Sequence, residues 1–334
     1  MKGKKVVFTE PWQVGTQAYE IDETNIPAGG ALIRKMYSLI STGTEMACLS
    51  GKEGWFKMPG TPGYCCVGEI MRTGEGVENF CTGDIVYYYG NHSEYEITKA
   101  AGIFKKVPEG LDVKCASLVR MGTVAMTALR VSQIALGDYV AVVGQGLVGN
   151  FAAQLSRLQG GRVIGIDVSP MRLEASKACG LEYAVNPAEC DAVAEVKNIT
   201  GGKGVSTVIE AIGSPQAICG AYNYLAKGGE IILLGTPRGE YQVDVTEVLA
   251  KSHWASHDVK VKGAHEWIFP INKDPFVKFS IEGNTEIVMD YIMADKIKVK
   301  NLITDTIKPD DAAEYYAKLR ANRDSCLGVQ FDWN

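Results

Sequence analysis

The chain has 334 residues, 46% hydrophobic and 22% charged, with 34 basic against 39 acidic side chains and a formal charge of −5. That length suits two domains with cores of their own, and 37 glycines and 12 prolines without a fixed period exclude a fibrous repeat. A mildly acidic balance lacks the charge footprint of a nucleic-acid binder, and no apolar run approaches the roughly 18 residues that a membrane helix needs.

The opening MKGKKVVFTEPW has only a short apolar stretch and reads as a first strand, not a secretory leader. Up to about residue 115 the pattern predicts short strands at 5–8, 31–40, 64–71, 84–89 and 95–98, separated by Gly and Pro turns. Such spacing predicts a closed or folded-over antiparallel β unit. After residue 122 the texture alternates. Helical patterns at 123–134, 151–158, 171–179 and 216–226 are interleaved with apolar strands at 139–143, 162–166, 207–209 and 230–234. That rhythm predicts a parallel sheet covered by helices on both faces. The remainder reads as helices at 286–295 and 312–320 and a last strand at 329–331.

The nine cysteines are scattered and contain no CxxC, which argues against a disulfide scaffold or zinc ribbon and for a reducing cytoplasm. The most informative motif follows the strand at 139–143, where Gly144-Gln145-Gly146-Leu147-Val148-Gly149 leads into a helix. The next strand ends in Ile166-Asp167, 18 residues past Gly149. Together these form the dinucleotide fingerprint. Gly144 permits the tight turn, Gly146 lets backbone N–H groups approach a pyrophosphate, and Gly149 lets the helix pack close to the strand. Asp167 can accept both ribose hydroxyls and would repel a 2′-phosphate, which favours NAD. Arg172, five residues on, keeps NADP as the lesser alternative. Ala211, Gly235 and Thr236 complete the cofactor-binding set.

The order of these parts resembles the medium-chain dehydrogenase/reductase superfamily, the alcohol dehydrogenase-like proteins, over nearly the whole chain. The resemblance is carried by Gly43-Thr44-Glu45, Pro62-Gly63-Tyr64, Val67-Gly68-Glu69, Gly83-Asp84-Ile85-Val86, the glycine loop and Gly228-Gly229-Glu230. Ser41-Thr42-Gly43-Thr44-Glu45 and Leu327-Gly328-Val329 resemble the subgroup of bacteriochlorophyllide dehydrogenase and zinc-type sugar or polyol dehydrogenases. The resemblance implies an α/β fold class: a GroES-like β-rich catalytic domain (1–121), a Rossmann domain with a doubly wound parallel sheet (122–265) and a C-terminal return to the catalytic domain (266–334). It also implies a homodimer or homotetramer, joined through the strand at 259–263.

The departures are as telling. Where zinc-dependent members carry ligands, this chain has Thr42, Tyr64 and Arg120, and the four-cysteine structural zinc lobe is missing. Thiolate and imidazole are thus replaced by alcohol, phenol and guanidinium, which predicts a zinc-free member. Hydride transfer would then rest on Arg120 polarising a carbonyl or clamping a substrate carboxylate, and on Tyr64 donating or relaying a proton. Thr44 occupies the hydroxyl position that contacts the reacting oxygen in relatives, and Glu45 could orient Arg120 or Tyr64. Each has a plainer reading: Arg120 as an ion pair with Glu45 or a phosphate contact, Tyr64 as a packed aromatic, Thr44 as a helix cap. His92 is a further catalytic candidate. Trp55, His265 and Trp267 are candidate walls of a small-molecule substrate site. The expected activity interconverts a secondary alcohol and a ketone on a sugar, polyol or glycoside. The alternatives are an enone or quinone reductase, a non-catalytic NAD-binding sensor, and an epimerase or lyase that oxidises transiently.

Overall fold

A computed structural model describes all 334 residues. The chain forms two compact units, Met1–Arg120 with Thr285–Met293 and Leu302–Asn334, and Met121–Asn284 with Ala294–Asn301. No helix is long and apolar enough to cross a membrane.

The first unit is β-rich. Its opening hairpin pairs Lys2–Glu10 with Gln13–Glu20 antiparallel. A larger sheet is ordered Ile303–Ile307, Gly328–Asp332, Gly30–Leu39, Cys66–Thr73, Ile85–Tyr88, Lys105–Lys106, with Tyr95–Lys99 also paired to Gly30–Leu39. Only its Ile303–Ile307 and Gly328–Asp332 pair is parallel. One core gathers Val6, Phe8, Ile40, Met46, Leu49, Tyr316, Leu319 and Phe331. Each fully buried large apolar side chain there contributes roughly 1.5–3 kcal/mol. This core anchors the helix Thr42–Leu49, which follows directly on the sheet strand Gly30–Leu39. The expected strand at 64–71 begins only at Cys66, so Tyr64 precedes it. Cys65 and Cys66 are both fully buried.

The second unit is a six-stranded parallel sheet ordered Tyr183–Val185, Arg162–Ile166, Tyr139–Val143, Val205–Glu210, Leu225–Leu233, Lys260–Gly263. Numbered along the chain within this unit, that is the doubly wound order 3-2-1-4-5-6. Ala141, Ile164, Val196, Val208 and Ile231 build its core. The chain order reverses between Tyr139–Val143 and Val205–Glu210, and the carboxyl ends of these two strands flank a ligand crevice in such sheets. The helix expected at 216–226 spans only Pro215–Ala221; after a turn at 222–224 the chain enters the strand Leu225–Leu233, which contains Gly228 and Gly229. This unit continues past residue 265, to Asn284.

Candidate active site

The glycine loop is built where the sheet requires it. Tyr139–Val143 emerges into Gly144, whose φ is +89°, a left-handed conformation that favours glycine. Gly146 is the N-cap of the helix Leu147–Leu158 and offers no side-chain cap. Its N-terminal N–H groups are the donors such a helix presents to phosphate. A Cβ on Gly149 would lie 1.8 Å from the Gly144 carbonyl oxygen, whereas one on Gly146 would meet nothing within 4 Å. The first glycine contact locks the helix to the strand, and the second leaves the loop open to a ligand.

Asp167 is buried and holds this loop: Oδ2 accepts from Gln145 N at 2.6 Å and Oδ1 from Ser169 N at 2.8 Å. Arg172 Nη1 stands 3.9 Å from the same carboxylate. The Gln145 side chain turns inward, donating to Val142 O and accepting from Ser176 Oγ. Gln145 therefore meets a ligand only through its backbone, and its N–H is taken by Asp167. Leu147 is buried and Val148 half-buried. Ala211 lies close to the loop, its Cβ 3.4 Å from where a Gly149 Cβ would be. Gly235 and Thr236 pack against Gly213. Buried carboxylate, glycine cradle and helix N-terminus fit a nicotinamide dinucleotide.

In the first unit a second polar cluster forms at the start of Thr42–Leu49. The Tyr64 hydroxyl donates to Ser41 Oγ in a short bond and lies 3.2 Å from Thr44 Oγ1. The Arg120 guanidinium sits 5.3 Å from the Tyr64 ring centroid and 3.9 Å from that of Tyr89, so the cation lies within cation–π range of both phenol rings. Burial, with the nearby Cys65, pushes the Tyr64 phenol well above its ordinary range; Ser41, Thr44 and the Arg120 charge pull it the other way. The phenol is thus held protonated, as a donor.

Behind this cluster lies a buried chain of hydrogen bonds. Glu45, 2% exposed, accepts from Ser41 N at 2.7 Å, from His92 Nε2 at 3.1 Å and from the Tyr316 hydroxyl. His92 Nδ1 meets Ser38 Oγ at 2.8 Å, and Ser38 Oγ accepts from Trp333 Nε1 at 2.9 Å. Because an ionised carboxylate only accepts, the network assigns the His92 proton to Nε2, leaving Nδ1 to accept from Ser38. Glu45 reaches Tyr64 through Ser41. His92 is fully buried, and Glu45, through its bond to Ser41 N, lies between it and the hydroxyl cluster. Trp55 is 63% exposed and bonded to Glu53; Trp267 is 52% exposed, and His265 is exposed.

Ser41, Tyr89, Tyr316, Ser38 and Trp333 escape the sequence reading. Ser41 could have been found, since it opens the quoted Ser-Thr-Gly-Thr-Glu motif. Tyr316 and Trp333 bond to residues 271 and 295 positions away and carry no local signal.

A β-rich unit and a doubly wound unit with a glycine loop and a buried aspartate, joined in one chain, are the parts expected of an alcohol dehydrogenase-like fold. The family model described as zinc-binding dehydrogenase matches residues 148–261. D-guloside 3-dehydrogenase of Escherichia coli is 35% identical over 172 residues, 51% of this chain and 49% of that protein, so the match spans about half that relative's length. Sorbitol dehydrogenase of Bacillus subtilis is 24% identical over 300 residues, 80% of this chain and 79% of that one. The crystal structure of galactitol-1-phosphate dehydrogenase from Escherichia coli shares the fold with a TM-score of 0.83 at 18% identity, covering 98% of this chain and 99% of that one. Residues 148–261 thus follow the zinc-binding dehydrogenase pattern, and over most of its length the chain is similar to proteins of the medium-chain dehydrogenase/reductase kind.

Proposed function

We propose that the chain is an NAD-dependent oxidoreductase that interconverts a secondary alcohol and a ketone on a sugar, polyol or glycoside, without catalytic zinc. The observation that carries this reading is the Tyr64 hydroxyl bonded to Ser41 and Thr44 with the Arg120 cation across its ring. Zinc takes thiolate, imidazole and carboxylate ligands. The cluster offers two alcohols, a phenol and a cation instead, and no group of three or more His, Cys, Asp or Glu side chains is placed to hold a metal. These residues do not fit the ion.

The dinucleotide, when bound, supplies or accepts hydride at its nicotinamide ring. The protein's part is the proton and the charge. In ketone reduction Tyr64 would give its O–H proton to the substrate oxygen, and the phenolate left behind would lie against Arg120. The Ser41 and Thr44 hydroxyls hold the phenolic oxygen in line. In alcohol oxidation the same phenolate takes the proton back. Asp167 at the ribose side supports NAD over NADP, since its negative charge opposes a 2′-phosphate. The names of the relatives support the substrate class.

The test is alcohol-dependent NADH formation across a panel of polyols and glycosides. Enone-dependent NADH consumption with no alcohol oxidation would instead make it a C=C reductase, and NADH binding without any turnover a sensor. The nine thiols suit a reducing cytoplasm. Lys260–Gly263, at the outer edge of the six-stranded sheet with Val261 46% exposed, supports assembly of two copies edge to edge.

A further inference from the structure

Glu210 ends the strand Val205–Glu210 and is completely buried. Burying a carboxylate is costly unless its oxygens are fully used. Here they are spent on one turn. Oε1 accepts from Ile212 N at 2.9 Å and Gly213 N at 3.0 Å, and Oε2 from Gly213 N at 3.1 Å. The Glu210 carbonyl accepts from Leu234 N and Gly235 N at 2.9 and 2.8 Å. One residue thus closes the 211–213 turn and ties it to the end of the next strand.

That turn is a wall of the glycine loop. A Cβ on Gly144 would come within 2.6 Å of Ile212 Cγ1. On its other side the turn is clamped: Gly213 has φ +78°, and a Cβ there would lie 2.2 Å from Thr236 O. Ile212 is still 55% exposed, an apolar side chain presented beside the loop where a nucleotide ring could pack.

The geometry points to Glu210 as a positioning residue for the dinucleotide: its ionised carboxylate fixes the 211–213 turn as a wall of the cofactor site. The inference rests on the reading of 144–149 as a dinucleotide loop. Ionised acceptors make the stronger bonds to N–H, so the charge matters as well as the shape.

The charge is within reach of ordinary pH. Burial raises the Glu210 carboxyl to about 7, against the N–H groups of Ile212, Gly213 and Ser214, and no charged side chain contributes. The flanking strands place Val143 and Leu233 beside it. The helix Pro215–Ala221 carries no charged residue and one thiol, Cys219; on Leu147–Leu158 the only charge is Arg157, which donates to Gly180 O.

The experiment titrates the full chain with NADH by fluorescence at pH 6 and pH 8, for wild type and Glu210→Gln, and follows amide hydrogen exchange at 211–213 without cofactor. One pH unit below 7 leaves about a tenth of the carboxyl ionised, so wild-type affinity should fall about tenfold between pH 8 and pH 6. Glu210→Gln should bind about as weakly at pH 8 as wild type does at pH 6, show no pH effect, and exchange faster at 211–213. A variant that binds like wild type at both pH values with unchanged exchange overturns the inference. So does a wild-type affinity that is flat with pH, which decides the matter even if the variant fails to fold. Wild type that binds no NADH at either pH removes the dinucleotide reading as well.

Discussion

The proposed chemistry turns on Tyr64, whose behaviour follows from its neighbours. A phenol raised by burial cannot leave its proton to water, yet an Arg120 guanidinium across the ring gives the phenolate a partner at the moment of transfer. Tyr64→Phe removes the proton while keeping the ring against Arg120. Its kcat for ketone reduction should fall about 10²–10⁴-fold, with NADH affinity unchanged in a fluorescence titration. An undiminished kcat removes Tyr64 from the mechanism. Glu45 belongs to the support. With three donors on a buried carboxylate, Glu45→Ala strands the donors of His92, Tyr316 and Ser41, and urea denaturation should register a loss of about 3 kcal/mol. Tyr64 and Arg120 could be picked from the chain because a metal-ligand pattern is broken there, and Thr44 because the hydroxyl position beside that pattern is kept. The bonds that make Glu45 and His92 a pair could not, because Tyr316, Ser38 and Trp333 reach them through the tertiary fold.

Elements were legible in proportion to how completely they are buried. Tyr139–Val143 and Arg162–Ile166 are found in the structure at their expected bounds, since central parallel strands are continuous apolar runs. The helix Val245–His253 has no buried residue and left no apolar period to read. Gln13–Glu20, mostly exposed, was missed for the same reason, and the glycines in Leu225–Leu233 disguised a strand as a helix end. The glycine loop is the element most sensitive to change. Gly149→Ala forces a Cβ onto the Gly144 carbonyl, so the helix must move away from the strand. That overpacking should cost about 2 kcal/mol in thermal or urea unfolding and weaken NADH binding more than tenfold. Glu210 sets a second, opposing dependence in the same unit. Its folded pKa of about 7 lies above the 4.5 of a free carboxyl, so its neutral form favours folding. That contribution is full below about pH 4.5 and lost as pH rises through 7, at most about 1.4 kcal/mol per pH unit. Unliganded stability should therefore lose less between pH 5 and pH 7 in Glu210→Gln than in wild type; parallel profiles would contradict it.

At the scale of the whole molecule, charge and composition narrowed the possibilities without naming one. A formal charge of −5 argued against nucleic acid, and the alternation after residue 122 carried the doubly wound sheet. What pointed to the class was the glycine loop together with retained motifs such as Gly43-Thr44-Glu45, Pro62-Gly63-Tyr64 and Gly83-Asp84. The exposed edge Lys260–Gly263 should join two copies in solution. Sedimentation should give a dimer or tetramer, and Val261→Lys should shift it toward monomer; a monomeric wild type would exclude this edge as an interface. Whether phenol and guanidinium stand in for the ion is read from zinc content and turnover in protein purified without chelators. Zinc should be substoichiometric and turnover unchanged by prolonged treatment with a strong chelator. One zinc per chain, with activity lost to the chelator and restored by Zn²⁺, would contradict it.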